Sequence, residues 1–335
     1  MGKKRNYILS ILLLVILLFS ACANRFDDVV MMTNSASRVD KPHVSVAFLK
    51  GPTGIGAVGL MDSTNLSNEY TFEISSAPDE VMAELINGGV DIAALPTNVA
   101  ATVYNKSNQE VSIVAVNTLG VLHLLERGDT IQSISDLEGK TIYSTGQGSV
   151  PEYALNYILE QNHINATVEY MSEHAELAAA LLAGKVDIAL LPEPNVTAVL
   201  LKDNSVRRAL DLTKEWDMIQ ALSSLESSQL AMGCIVARKE FIENNKEAFD
   251  NFLKEYKDSV EYVNNHISEA ALLVEEYDIM DSAVAAESAI PNCNIVFLSG
   301  EEMKNTLEGF YRILFEANPK SIGGGLPNED FYYTK

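Results

Sequence analysis

Residues 83–96 and 179–192 are two copies of one phrase, and this duplication constrains the fold more than any other feature of the chain. Ala-Glu-Leu-Ile-Asn-Gly-Gly-Val-Asp-Ile-Ala-Ala-Leu-Pro lies over Ala-Ala-Leu-Leu-Ala-Gly-Lys-Val-Asp-Ile-Ala-Leu-Leu-Pro, with nine of fourteen positions identical. Each copy continues into Asn-Val, at Asn98 and Asn195. The offset of about a hundred residues is too long for a solenoid unit, whose periods run from about 20 to 50 residues. It fits two similar α/β lobes instead. Two matched lobes facing one another make a cleft, and such clefts hold small ligands.

Residues 1–21 read as a targeting segment and are set aside from the fold. Lys3, Lys4 and Arg5 precede an almost wholly apolar run from Tyr7 to Phe19, and Ser20 and Ala21 supply small residues before Cys22. That order resembles the bacterial lipoprotein signal, in which cleavage leaves the cysteine as a lipidated, palmitate-bearing N-terminus. Phe19 is a less usual residue three places before the cysteine. The alternative is an uncleaved anchor helix, but the run falls short of the ~20 residues a span needs. In both readings the remainder is expected outside the cytoplasmic membrane. Residues 22–41 carry no sustained period and read as a tether.

About 290 residues remain, enough for two lobes of ordinary domain size. Removing residues 1–21 takes the net charge from −22 to −25. A body this acidic repels phosphate backbones, so no nucleic-acid partner is expected. Beyond Cys22 the cysteines are Cys234 and Cys293. An extracellular compartment permits a disulfide between them, and two cysteines in apolar stretches serve equally as small core residues. Neither has the spacing of a zinc site or a CxxC pair, and the five histidines are scattered. No metal and no cofactor are expected.

From residue 43 the chain alternates strand and helix. Stretches 43–49, 70–75, 90–95 and 111–116 read as strands. Between the second and third, Ser76 is placed to cap a helix that Pro78 opens and Gly88 ends. The second part repeats this order, with strands over 140–144, 167–171 and 186–191, a helix over 151–161, and another from a Ser172 cap to Gly184. Such βαβ units with continuous apolar strands predict mostly parallel sheets covered by helices on both faces. A strand over 230–237 and helices over 241–264, 268–277 and 301–318 follow and are not a third copy. If this tail returns to complete the first lobe, lobe one is 42–118 plus 231–335 and lobe two is 119–230. The crossovers, near 117–120 and 227–233, are small and polar, as a hinge tolerates.

These features resemble the type 2 substrate-binding proteins of ABC importers, and within them the nitrate/sulfonate/taurine/thiamine-precursor group. The residues carrying the resemblance are the turn Lys50 to Gly56 after the first strand and the Gly-x-Val-Asp-Ile-Ala phrase in both lobes. Asp136-Leu-Glu-Gly-Lys before the second-lobe strand and Leu191-Pro-Glu-Pro add to it. The resemblance covers roughly residues 42–335 and implies a type 2 periplasmic-binding-protein fold. It further implies a lipid-anchored, monomeric protein that captures a small organic solute and delivers it to an ABC permease, without catalysis.

Parallel α/β sheets bind ligands beyond the carboxyl ends of their strands, and four turns occupy that position. Lobe one contributes Gly51, Pro52, Thr53, Gly54 and Ile55, then Thr97 and Asn98; lobe two contributes Thr145, Gln147, Gly148 and Ser149, then Glu193. Asn117 and Thr118 lie at the first crossover. Glycines let backbone N–H groups approach a ligand, and a following helix start favours an electron-rich group. Lys50 is the cation of these turns and Glu193 the main anion; none contains arginine, which disfavours a dicarboxylate or phosphate held by arginine forks. Phe48, Tyr143, Tyr153 and His123 lie near these turns, where they serve either to stack on a ring ligand or, as most aromatics at such positions do, to fill the core.

Other classes compete less well. Gly54 to Gly59 matches GxGxxG, but its first glycine lies five residues beyond the strand, and the compartment is outside the cell. A pyrimidine-synthesising enzyme of the same fold family is an alternative that the signal segment opposes. An extracellular sensing module would ordinarily be fused to a transmembrane signalling domain.

Overall fold

The computed structural model describes residues 41–222 and 228–335. The signal segment, the lipidation site Cys22, the tether up to residue 40 and the start of the second crossover at Ser227 lie outside the described residues. In chain order the strands are β1 (His43–Leu49), β2 (Glu69–Ser75), β3 (Ile92–Pro96), β4 (Val111–Thr118), β5 (Leu122–Arg127), β6 (Thr141–Ser144), β7 (Thr167–Tyr170), β8 (Ile188–Pro192), β9 (Val206–Asp211), β10 (Gly233–Arg238) and β11 (Ile295–Ser299).

They form two sheets, ordered β11-β4-β10-β3-β1-β2 and β7-β6-β8-β5-β9. Without β11 the two orders superpose: β2-β1-β3-β10-β4 lies over β7-β6-β8-β5-β9. The duplicated phrase occupies equivalent places, β3 and β8. In each sheet that strand is flanked by a parallel neighbour from its own βαβ unit and an antiparallel one next to a crossover. Gly233 of β10 pairs with Pro96, and Leu122 of β5 with Pro192. The two-lobed α/β class therefore holds, with sheets that are mixed. Pairings β1–β2, β1–β3, β6–β7 and β6–β8 are parallel, while those of β10, β11, β5 and β9 are antiparallel. A helix between two strands returns the chain to the same end of the sheet and makes them parallel; a strand entering from the other sheet starts at the opposite end.

Strand alternation sends each copy of the phrase into two cores, one of them shared between the copies. Ala93 and Leu95 face one cluster and Ile92 and Ala94 another; Ile188 and Leu190 face the first, Ala189 and Leu191 a third. The shared cluster runs continuously from Leu95 and Val116 of the first sheet to Leu124 and Leu190 of the second. Its bridge is the helix Gly300–Ala317, whose Phe310 meets Trp216 of helix Leu212–Leu222 at 5.7 Å between ring centroids. Tyr157 packs on the same indole at 4.8 Å. The indole N–H donates to the Ser228 carbonyl at 3.1 Å.

Cys234 and Cys293 are both free and buried, so the core reading holds and the bridge does not form. Cys234 lies in the shared cluster and Cys293 in the one behind the first sheet, so the sheet separates the thiols. Two caps also differ from expectation. Ser76 does not cap helix Pro78–Asn87; Ser75 does the work from outside, accepting the Ala77 N–H at 3.0 Å and donating to Glu80 at 2.7 Å. Helix His174–Leu182 takes Glu173, not Ser172, at its N-cap, without a side-chain bond. Gly88 ends its helix in the left-handed conformation at φ 78°, as expected.

Replacing Trp216 with alanine empties the contact between the two sheets' helices. A loss of about 3–5 kcal/mol is expected, read as a lowered urea midpoint. A midpoint unchanged within error would mean that this seam does not hold the lobes.

Candidate functional site

Residues at the carboxyl ends of strands in both sheets line one cavity of about 360 Å³. The first sheet contributes Lys50, Gly51, Pro52 and Thr53 after β1, Pro96 at the end of β3, and Thr118 at the end of β4. The second contributes Pro192, Glu193, Pro194 and Asn195 after β8, and His174 at the helix start after β7. Val121, Met232 and Gly233 come from the crossovers and Ile279 from the tail. The lining is largely apolar, with its polar groups concentrated in Lys50, Thr53, Thr118, His174, Glu193 and Asn195.

Local backbone requirements build this floor. Gly51 sits at φ 97°, a left-handed value that turns the chain into the short helix Pro52–Ile55. At Gly233 a Cβ would lie 2.8 Å from Asn117 Oδ1 and 2.9 Å from Thr53 Cγ2, so a larger residue would force the crossover away from the β1 turn. The crossover backbones are bonded into both lobes: Met232 N–H donates to the Thr118 carbonyl at 2.9 Å, and Glu193 N–H to that of Val121 at 2.9 Å.

Most charges at the cavity already have partners. Lys50 Nζ meets Asp278 at 2.8 Å. Glu193 is 1 % exposed; its carboxylate accepts from Arg208 Nη2 at 2.5 Å and from the Thr197 N–H at 3.0 Å. Burial pushes the Glu193 carboxyl up from the ordinary range, and Thr197 and Arg208 pull against it. A ligand amine would therefore have to displace Arg208 to reach this carboxylate. His174 is held differently, with Nδ1 2.6 Å from the Thr145 hydroxyl and its pKa lowered chiefly by burial.

Of the residues singled out from sequence, Gly51, Pro52, Thr53, Thr118 and Glu193 come together on this cavity. The others lie elsewhere. Gly54 and Ile55 are buried behind the turn, where a Cβ on Gly54 would come 2.6 Å from the Leu49 carbonyl. Thr97 opens helix Thr97–Lys106 directly after β3, so its side chain turns into the lobe. Its hydroxyl donates to the Ala231 carbonyl at 2.7 Å, and Asn98 donates to that of Ser321 at 3.4 Å. Asn117 donates to the Tyr256 hydroxyl at 3.0 Å inside the core. Thr145 stands behind His174, Ser149 donates to the Gly146 carbonyl at 2.7 Å, and Gln147 and Gly148 are exposed on the turn. The aromatic candidates are spent on packing. Phe48 is fully buried against Tyr256, Tyr143 packs on the lobe-two core, and the Tyr153 hydroxyl accepts from Asn318.

Sequence reasoning missed His174, Asn195 and Met232 as cavity residues, and Arg208 as the partner of Glu193. Asn195 was within reach, because it is the repeat counterpart of Asn98. Arg208 lies in β9, whose Val-Arg-Arg-Ala-Leu-Asp carries no clean alternation.

Arg208 also lines a second and wider opening of about 600 Å³, with His123, Asp211, Lys214 and Asn292. Its Nη1 reaches Asn292 Oδ1 at 3.3 Å. This opening flanks the edge strand β9 and not the ends of the parallel strands. The smaller cavity is accordingly the candidate site. His123 is 6 % exposed, its Nδ1 is without a hydrogen bond, and Asp211 lies 3.9 Å away. Burial, then Arg208, lowers its pKa to about 4, with Asp211 opposing.

A family model described as NMT1/THI5 like matches residues 80–270. No curated protein matches the chain. Among solved structures, an ABC transporter protein from Parabacteroides distasonis is 26% identical, with a TM-score of 0.74 over 88% of this chain and 100% of that one. The periplasmic aliphatic sulphonate binding protein SsuA from Escherichia coli is 16% identical, with a TM-score of 0.65 over 87% and 92%. The periplasmic nitrate-binding protein NrtA from Synechocystis PCC 6803 is 10% identical, with a TM-score of 0.54 over 79% and 75%. At these identities SsuA and NrtA are alike with this chain in fold.

The state of His123 gives a pH test. Its folded pKa of about 4 lies below the ordinary 6.5, so the unfolded chain takes a proton that the folded chain refuses. The associated stability is complete above pH 6.5 and is lost as the pH falls toward 4. His123→Gln should therefore lose less stability than the parent between pH 7 and pH 5, measured by urea unfolding at both. Equal losses would contradict the buried neutral imidazole.

Proposed function

This chain belongs to the NMT1/THI5-like family, and from that membership we propose that it is a solute-binding protein serving an ABC importer. It captures a small organic molecule between two lobes and catalyses no reaction. The observation that carries the reading is the cavity itself. Strand ends of two equivalent sheets contribute to one space, floored by the two chain crossings, where a ligand can touch both lobes at once. The solved relatives support the role through what they are: an ABC transporter protein, a sulphonate binding protein and a nitrate-binding protein.

In this proposal lobe one is 42–118 plus 231–335 and lobe two is 119–230. The ligand is gripped by the β1 turn (Gly51, Pro52, Thr53, with Lys50) on one side and the β8 turn with His174 on the other. Thr118 lies at the crossing, and Glu193 acts as a brace held by Arg208. A ligand touching both lobes favours the closed state by its differential affinity for it. The wall is mostly apolar and its polar groups are few, which suits a compact polar head on a small apolar body. The protein works as a monomer held by a lipid on Cys22 at the outer face of the cell membrane, and hands its solute to a membrane permease.

Thermal-shift screening against sulfonates, carboxylates, amino acids, pyrimidines and amines tests the role. A ligand that binds only the folded chain stabilises it by about 2.7 kcal/mol at a hundred times its dissociation constant. With such a ligand, Thr53→Ala should weaken binding by about 0.5–1.5 kcal/mol, and Lys50→Met by about 1.5–3 kcal/mol if the ligand is an anion. Gln147→Ala, on the exposed turn, should leave affinity unchanged. X-ray scattering should record a more compact particle with ligand. Binding without compaction, unaffected by either cavity substitution, would place the site elsewhere.

Anchoring is separable from binding. Cys22→Ala should release the protein from membranes or leave it unprocessed. A correctly processed variant that partitions to membranes as before would exclude the lipid anchor.

A further inference from the structure

Taking the cavity as the solute site, we propose that His174 is a specificity-determining residue there. Its Nε2–H donates to the ligand's polar head and selects heads that accept hydrogen bonds over bare ammonium heads. Three observations lead to this assignment. His174 lines the cavity on the lobe-two side, while Lys50 lines it from lobe one. Its Nδ1 is taken by the Thr145 hydroxyl at 2.6 Å, and the two ring nitrogens point in different directions, so Nε2 remains for a ligand. Among the described residues Nε2 has no hydrogen-bond partner.

Thr145 decides the tautomer. It is 1 % exposed, and its hydroxyl has no other acceptor within reach among the described residues. A buried hydroxyl keeps its proton in a hydrogen bond. The Thr145 proton therefore goes to Nδ1, which must be the unprotonated nitrogen, and the ring's own proton resides on Nε2. The opposite arrangement, Nδ1–H donating to Thr145, would leave the threonine proton buried and unmatched.

The surrounding charges leave this neutral form in place. Burial lowers the His174 pKa, and Glu173, at the adjacent N-cap, opposes it. The other ionisable groups on the cavity are Lys50, paired with Asp278, and Glu193, paired with Arg208. No carboxylate forms a salt bridge with His174 among the described residues. The cleft thus offers a fixed N–H donor on one lobe and an ammonium on the other. A carboxylate, sulfonate or carbonyl head satisfies both; a bare ammonium satisfies neither.

The test is nuclear magnetic resonance on the mature chain carrying ¹⁵N-labelled histidine. The neutral His174 ring should be the Nε2–H tautomer. Thr145→Val should remove that bias and Thr145→Ser restore it, which a merely structural threonine would not do. Ethanesulfonate should move the Nε2 resonance and propylamine should not, and His174→Leu should lower ethanesulfonate affinity at least tenfold. An Nδ1–H tautomer, indifference to Thr145→Val, or an equal response to propylamine overturns the assignment. If a screened compound stabilises the chain but leaves Nε2 unmoved at saturation, the assignment fails alone. If no compound stabilises it and no probe moves Nε2, the solute-binding reading fails with it.

Discussion

Everything in this fold depends on where β10 is inserted. β3 and β4 both precede the second sheet in the chain, yet they do not pair with each other; β10 lies between them and bonds to both. The strand that completes the first sheet is synthesised only after the second sheet has been laid down. Two crossings between the lobes are therefore obligatory, and β10 brings the second of them to the ends of β3 and β4. Cross-strand hydrogen bonding fixes this, because β3 without β10 would present an unpaired edge in the middle of a core.

The same constraint explains why the two lobes are unlike in their surroundings though alike in topology. The tail that follows β10 covers the far side of the first sheet with helices Lys246–Asn265, Ile267–Glu276 and Ala283–Ala289. It then sends helix Gly300–Ala317 back across the seam to Trp216. The lobes consequently share an apolar contact and do not hang on two strands alone. Arg208 ties the same region together by polar means, joining Glu193 of the cleft to Asn292 of the tail. A buried ion pair of this kind contributes little net stability, but removing one partner is costly because it strands the other charge.

Much of this was legible in the residues. The repeated Val-Asp-Ile-Ala phrase identified β3 and β8, since a short apolar run closed by proline and preceded by a glycine helix stop has few other readings. The β1 turn was legible because glycine after an apolar strand leaves the backbone open. Other parts were not. β9 carries Arg207 and Arg208 in the middle of a strand, each paying for its place with a carboxylate, Glu126 and Glu193, that lies far off in sequence. Helix Ala283–Ala289 is made of small residues without a periodic stripe. The Ser76 cap was misplaced by one residue because Ser75, at the end of β2, reaches the same backbone.

By itself the sequence determined the class of fold, the two-lobe duplication and the strand ends at which a ligand could sit, because hydrophobic periodicity and glycine punctuation are local properties. Tertiary structure alone decided which side chains on those turns face the cavity. Thr53 and Thr97 follow neighbouring parallel strands of one sheet and each donates its hydroxyl to a backbone carbonyl, Leu49 and Ala231, yet Thr53 lines the cavity and Thr97 does not. Likewise Glu193 reads in sequence either as a partner for a ligand amine or as a brace of its loop, and its match to Arg208 makes it a brace; His174 reads as an isolated histidine until Thr145 is seen beside its ring. Hydrogen-bond and charge partners are contributed by segments distant in the chain, so no local pattern can announce them.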